Sequence, residues 1–221
     1  MSSRCRMKKE SKFEFLVAAF IHDLKNQLQS LSGQQDILLN ELPAEYQHKL
    51  APMLRQTNQI KEDTLRLVSV FRLEHKDSFA MDDAWPRDTA NDAIESCQIQ
   101  FPDLVFNNRI NLDAQGFYNE QLIQLALVTL ITNSAQAGAK QVELLCEEGD
   151  NQSLSIIIHD DGPGFSQDIL EGLADTTKAE GTGLGLSFVE MICHAHKGAG
   201  QPGKLTISNS KVGAIATISL P

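Results

Sequence analysis

Long apolar runs are missing from the 221-residue chain. The longest, such as Phe15 to Ile21, fall well short of the ~20 residues that a membrane-spanning helix needs. Aromatic residues are few, with one Trp and two Tyr, so a surface that stacks bases is not expected. Basic residues are outnumbered, 19 Lys and Arg against 29 Asp and Glu, for a net charge of -10. That balance lacks the positive footprint that duplex nucleic acid attracts. The four cysteines, Cys5, Cys97, Cys146 and Cys193, contain no C-x-x-C pair, which removes a structural zinc site and a dense disulfide framework and suits a reducing compartment. Met1 to Lys12 has basic residues but no apolar core and cleavage site behind them, so it does not read as a secretory signal. Repeats and long low-complexity tracts are also lacking. The chain is expected to be soluble and cytoplasmic, with no membrane span and no nucleic-acid partner.

What is present is ordinary globular material: 42% hydrophobic and 22% charged residues, enough for one large domain or two small ones. From Ser11 to about Leu39 there is no Pro, and Gly33 is the only Gly. At 100° per residue Phe13, Leu16, Val17, Phe20, Leu24, Leu28, Leu31 and Leu38 gather on one stripe, which predicts an amphipathic helix. Asn40 to Ala44, with Pro43, reads as a turn. A second helical pattern runs through Leu50, Leu54, Ile60, Leu65, Val68 and Phe71 to about Glu74, with Pro52 kinking it or marking its start. Such a hairpin leaves apolar surface uncovered on each helix. Two copies pairing into a four-helix bundle would cover it, so a homodimer is expected.

His75 to Arg87 is polar, ends in Trp85-Pro86, and reads as a linker. Beyond it the pattern predicts helices over Asp88 to Gln100, Asn119 to Ala137 (with Asn119 as N-cap) and Gly185 to His196. Strands are predicted over Phe106 to Leu112, Gln141 to Cys146, Ser153 to Asp160, Lys204 to Asn209 and Ala214 to Leu220, with a turn at Glu148 to Asn151. The expected architecture is therefore α + α/β: residues 1–76 a helical hairpin forming a dimeric four-helix bundle, 77–87 a linker, and 88–221 an α/β sandwich with helices over one face of a sheet.

Six of the fourteen glycines fall between Gly162 and Gly185. Asp160-Asp161-Gly162-Pro163-Gly164 follows a strong apolar strand, and Gly181-Thr182-Gly183-Leu184-Gly185-Leu186 precedes a helix. Glycine lets backbone approach a ligand, and a helix start offers unpaired N–H groups to an anion. The two groups together suit a nucleotide, with an Asp for the base and a glycine cradle for the phosphates. A Walker-type G-x-x-x-x-G-K-[ST] loop is absent, and the second group lacks the preceding strand of a Rossmann fingerprint.

His22 stands in His22-Asp23-Leu24-Lys25-Asn26-Gln27-Leu28. With Phe20 set at zero, the apolar stripe centres near roughly 30° and His22 falls near roughly 200°, so its imidazole points away from the core. Asn26 lies one turn on along the same face. A solvated surface histidine is the plain alternative. His194 and His196 are two apart on a helix and point in different directions, a poor metal pair.

These residues resemble a known family. Asp160-x-Gly162-x-Gly164 and Gly181 to Leu186 are similar to the two glycine boxes of the histidine-kinase and gyrase-type ATPase superfamily. Asn133-Ser134-Ala135 resembles its N box, Gly213 to Pro221 the closing strand of sensor kinases, and His22 to Leu28 their H box with Gln27 in place of the usual Pro. The motifs occur in family order across nearly the whole chain.

The resemblance implies that Asp160 accepts a hydrogen bond from the adenine amino group, that Gly162 and Gly164 shape the turn beneath the base, and that Asn133 places an amide oxygen on Mg²⁺. It implies that Gly181, Gly183 and Gly185, with Thr182 and Leu184 between them, meet the triphosphate. Phe165 to Glu180 would be a lid carrying Thr176-Thr177-Lys178, a run similar to that of nitrogen-regulation-type sensor kinases, with Lys178 reaching a terminal phosphate. His22 would be the phosphorylated residue and Asp23 its orienting partner, and Asn26 would position a water that dephosphorylates the receiver domain of a response regulator. Thr129 stands where sensor kinases carry a second Asn and hydrolytic relatives a Glu base, and Gln136 and Ala137 replace a basic and aromatic pair.

The expected function is thus a dimeric two-component histidine kinase using ATP and Mg²⁺. About a dozen residues precede the first predicted helix, so input is expected through an upstream partner protein. Two other readings stay open: a kinase-inactive phosphotransfer or scaffold protein, suggested by the departures at Gln27, Thr129 and Gln136, and an ATPase or serine protein kinase of the same superfamily, neither of which needs His22-Asp23.

Overall fold

The computed structural model describes residues 80–149, 153–171, 184–198 and 201–221, with residues 26–28, 30, 31, 33–35, 37, 38, 43, 46, 53, 56, 57, 60 and 64 of the N-terminal part. The chain divides into two compact units, Met1–Glu74 and His75–Pro221. In the first, every described residue except Pro43 is helical, and the Tyr46 amide donates to the Pro43 carbonyl (2.9 Å). Gln35 Nε2 donates to Thr57 Oγ1 (2.8 Å), which donates to the Met53 carbonyl (3.0 Å). This buried polar contact joins helical residues on either side of Pro43. Leu28 is buried, whereas Leu31, Leu38 and Ile60 of the predicted apolar stripes are exposed in the single chain. Among the described residues no helix is long and apolar enough to cross a membrane.

The second unit contains, in order, β1 (Asp82–Ala84), α1 (Pro86–Gln100), β2 (Val105–Asn108), β3 (Gly116–Tyr118), α2 (Glu120–Gln136), β4 (Gln141–Glu148), β5 (Leu154–Asp160), α3 (Gln167–Leu170), α4 (Leu184–Ala195), β6 (Lys197–Gly198), β7 (Gln201–Pro202), β8 (Lys204–Asn209) and β9 (Ala214–Leu220). The main sheet has the order β2-β4-β5-β9-β8. Only β2 runs parallel to its neighbour β4, because the connection between them carries α2 across as a helical crossover. β1 pairs with β3, so Asp82 to Ala84, expected in the linker, is a strand of this unit. α1 starts with Pro86 in its first turn, where a missing N–H costs nothing. The helix therefore begins two residues before the predicted Asp88.

The sheet has one covered face because its strands alternate. Leu154, Ile156 and Ile158 of β5 are buried, as are Ala214, Ala216, Ile218 and Leu220 of β9 and Val142 and Leu144 of β4. The register aligns them in rows: Leu144 opposite Ile158, which faces Ala216, and Ile156 opposite Ile218. Ile123, Leu127, Leu130 and Ile131 of α2 and Phe188, Val189, Ile192 and Cys193 of α4 complete the core, and both helices touch the sheet. Full burial of each Leu or Ile contributes about 1.5–3 kcal/mol. This is a mixed α/β sandwich, with the helices on one side as the alternation predicts. Burial pushes the Cys193 thiol up to about 12, and Cys97 is likewise buried.

Two side chains tie the helix layer together. Asn119 caps α2 as predicted, its Oδ1 accepting from the Leu122 amide at 3.0 Å, and its Nδ2 donates to the Ala80 carbonyl (2.7 Å). The Asn119 amide donates to His196 Nε2 (3.0 Å). Since Nε2 accepts, Nδ1 carries the ring proton and donates to the Ile192 carbonyl (2.8 Å). His196 is fully buried at the end of α4, and burial holds its pKa below the ordinary histidine value against the opposing pull of the Ile192 carbonyl. His194, two residues earlier, is exposed, so the two rings do part.

The turn before β9 is equally constrained. Gly213 sits so close to the end of β5 that a Cβ there would lie 1.9 Å from the Asp160 carbonyl oxygen. Ser210 closes the turn, its amide donating to the Gly213 carbonyl (2.8 Å) and its Oγ accepting from the Gly213 amide (3.1 Å).

Gly213→Ala is expected to lose about 3 kcal/mol of unfolding free energy, since a methyl group there must displace backbone; denaturant titration reads this directly. His196 gives a pH signature. Its folded-state pKa is depressed, so below the unfolded value of ~6.5 the unfolded chain takes up a proton that the folded ring refuses. Stability is therefore fully present above about pH 6.5 and declines as pH falls toward the lowered folded value. His196→Gln should be less stable at pH 8 but show a smaller loss between pH 8 and pH 5 than the wild type.

Candidate functional site

The alternation of β5 predicts an apolar side chain at its last inward position, and Asp160 stands there instead. Its carboxylate is 8% exposed and would be costly without partners. Oδ2 accepts from Ser134 Oγ of α2 at 2.6 Å. Oδ1 accepts from the Gly162 amide at 2.9 Å and from the Ala214 amide of β9 at 3.1 Å. Three elements therefore converge on one carboxylate. The neighbouring Asp161 points to the opposite side and is exposed. Its Oδ1 accepts from the Gln141 and Lys140 amides (2.9 and 2.7 Å), and these two bonds hold its pKa below the ordinary aspartate value.

The glycines of this turn have separate jobs. A Cβ on Gly162 would lie 3.1 Å from Asp160 Oδ1 and 3.5 Å from the Ala139 side chain. Gly164 has φ +80°, and a Cβ there would meet Asn209 Oδ1 at 2.8 Å; both facts favour glycine. Asn209 then clamps the next residue from both sides. The Phe165 amide donates to Asn209 Oδ1 (2.7 Å), and Asn209 Nδ2 donates to the Phe165 carbonyl (2.8 Å).

α4 approaches α2 at Gly185. A Cβ on Gly185 would lie 3.1 Å from Asn133 Nδ2 and 3.4 Å from Thr129 Cγ2. The half-buried Asn133 amide thus lies beside the start of α4, and among the described residues no side-chain hydrogen bond engages it. Thr129 is buried, and its hydroxyl donates to the Leu125 carbonyl of its own helix (2.8 Å), so that oxygen serves the helix.

These parts bound an open cleft. Leu130, Ile158, Leu186, Ala214 and Ala216 give it apolar walls, and Asn133, Ser134 and Asp160 supply polar groups. An apolar slot with a carboxylate in its wall suits a planar base bearing a donor. Asn133 fits a hard cation through its amide oxygen. Among the described residues no three His, Cys, Asp or Glu cluster to form a metal cage, so such a cation would draw its other ligands from phosphate and water.

Of the residues singled out in the sequence, Asn133, Asp160, Gly162, Gly164 and Gly185 lie at or beside this cleft. Leu184 opens α4. Asn26 is helical and exposed in the first unit. His22, Asp23, Thr177, Lys178, Gly181, Thr182 and Gly183 lie outside the described residues. Sequence reading left Ser134, Gly213 and Asn209 without roles. Ser134 and Gly213 stood inside recognised motifs, which was a usable signal, but Gly213 and Asn209 act through contacts with residues more than forty positions away.

Residues 118–221 match the family described as histidine kinase-, DNA gyrase B-, and HSP90-like ATPase. The tetrathionate sensor histidine kinase TtrS of Salmonella typhimurium is 26% identical over 216 residues, covering 92% of this chain and 36% of the relative. The sensor histidine kinase ZraS of the same organism is 28% identical over 232 residues, covering 93% and 45%. The chain thus spans less than half the length of these curated relatives. Among solved structures, the catalytic domain of histidine kinase ThkA superposes with a TM-score of 0.55 at 19% identity, covering 64% of this chain and 95% of that one. The Acinetobacter baumannii histidine kinase AdeS superposes at 0.60 with 20% identity, covering 90% and 96%. At these identities the superpositions speak to the fold. Residues 118–221, which hold Asp160 and its cleft, are thus similar to that ATPase family, and over most of its length the chain is similar to sensor histidine kinases.

Proposed function

We propose that the chain autophosphorylates His22 with Mg·ATP and passes the phosphoryl group to an aspartate on a response-regulator receiver domain. The observation that carries this reading is the buried Asp160 carboxylate in the wall of the apolar cleft, with the unengaged Asn133 amide nearby. Asp160 would accept from the adenine amino group, and Gly162 and Gly164 would let the turn pass beneath the base. Asn133 would hold Mg²⁺ through its amide oxygen. The cation supplies charge neutralisation on the phosphates when bound. Gly181, Thr182, Gly183, Leu184 and Gly185 would offer amides to the triphosphate at the start of α4, and Thr177 and Lys178 would meet its terminal phosphate.

One ring nitrogen of neutral His22 attacks the γ-phosphorus in line. The N–P bond forms as the bond to the bridging oxygen breaks, and ADP leaves with that electron pair. Asp23 accepts from the other ring N–H and offsets the positive charge that develops on the imidazole. Asn26, one turn from His22, would position a water for removal of the phosphoryl group from the receiver aspartate. Two copies pairing through their hairpins would cover Leu31, Leu38 and Ile60, an upstream protein would deliver the signal, and the work would take place in the cytoplasm.

Thr129 favours this reading over hydrolysis. A threonine whose hydroxyl is bound to its own helix cannot activate water as a carboxylate base would. The test is incubation with γ-labelled ATP and Mg²⁺. We expect an acid-labile, base-stable phosphoprotein that passes its label to a receiver domain, and loss of labelling in His22→Gln and Asp160→Ala. Equal labelling of His22→Gln would overturn the assignment, and steady phosphate release without a phosphoprotein would favour an ATPase.

A further inference from the structure

We infer that Ser134 is a positioning residue that sets purine selectivity, leaving the Asp160 carboxylate one acceptor site for a 6-amino group and none for a second donor. This deepens the proposed nucleotide reading and rests on it.

The argument is an inventory of lone pairs. An ionised carboxylate has about four acceptor sites, two on each oxygen. The Gly162 and Ala214 amides occupy both sites on Oδ1. Ser134 occupies one on Oδ2, at 2.6 Å, the short distance of a hydroxyl bonded to a charged oxygen. One site remains, on an oxygen whose residue lines the cleft. Ser134 also lines the cleft and is itself only 8% exposed. Its single proton is spent on Asp160, so toward a ligand it presents lone pairs alone. The pair therefore shows only acceptors at this end of the cleft. A 6-aminopurine supplies the N–H that matches. A 6-oxopurine presents an oxygen to two acceptor groups, with no proton left to bridge them, and is rejected for the reason that makes unmatched buried polar groups expensive.

Ser134 acts here through Asp160. Without the hydroxyl, Oδ2 has two open sites and the carboxylate loses the bond to α2 that fixes its torsion. The amino group would then compete with water and with a turned carboxylate, while contacts to the rest of the purine would be unchanged.

The experiment is calorimetric titration of the full chain, wild type and Ser134→Ala, with Mg²⁺ and each of three nucleotides: ATP, purine riboside triphosphate, which lacks any 6-substituent, and inosine triphosphate. We expect Ser134→Ala to weaken ATP about tenfold and purine riboside triphosphate by less than about twofold, the size of one hydrogen bond to a charged group. The penalty against inosine triphosphate should shrink, and Ser134→Thr should restore the wild-type ratios. Ser134→Cys, similar in volume with a weak S–H donor, gives the same direction should the alanine variant fail to fold. Equal weakening of ATP and purine riboside triphosphate, or no change in either, overturns the inference and leaves the ATP reading standing. A wild-type chain that binds none of the three overturns the ATP reading itself.

Discussion

A buried carboxylate at the end of the central strand is the constraint around which the second unit is arranged. Asp160 occupies a position where the alternation of β5 calls for an apolar side chain, and a charge there is tolerated only with hydrogen-bond donors aimed at it. Its donors come from α2, from the turn after β5 and from the first residue of β9. Helix, turn and strand must each be in register before the charge is satisfied. The glycine at 213 follows from the same crowding, because β9 must begin almost on top of the Asp160 carbonyl for the Ala214 amide to reach the carboxylate.

The helix layer keeps that arrangement in place from the other end. His196 links the last turn of α4 to the cap of α2, and Gly185 lets the first turn of α4 lie against Asn133 and Thr129. α4 is thus fixed to α2 at both of its ends. The cleft opens between these helices and the sheet, so the contacts that stabilise the layer also set its width. Asn209 does for the loop what His196 does for the helices: two hydrogen bonds to the backbone of Phe165 hold the chain where it leaves the glycine turn.

Much of this was readable before any coordinates. β8 and β9 match the predicted spans residue for residue, and α2 and its Asn119 cap follow from one long apolar helix with a good N-terminal signal. These elements carry their instructions locally, in alternation or in capping chemistry. β1, β3, β6 and β7 were missed because strands of two or three residues are too short to show a period, and each is defined by a partner elsewhere in the chain. Leu31, Leu38 and Ile60 show the converse. Their helical spacing is clear, yet spacing alone does not say which apolar residues a single chain buries.

By itself the sequence determined the alternating strands, the long capped helix, the ordered glycine motifs and the presence of an aspartate beside them, because each depends on neighbours within a few residues. Only the tertiary structure decided that Ser134 binds Asp160, that Thr129 turns its hydroxyl back to its own helix, that His196 is a buried neutral tie, and that position 213 has no room for a side chain. These are contacts between elements, or choices among rotamers made by packing. Their energies depend on distances of a few ångströms between residues far apart in the chain, which no local pattern encodes.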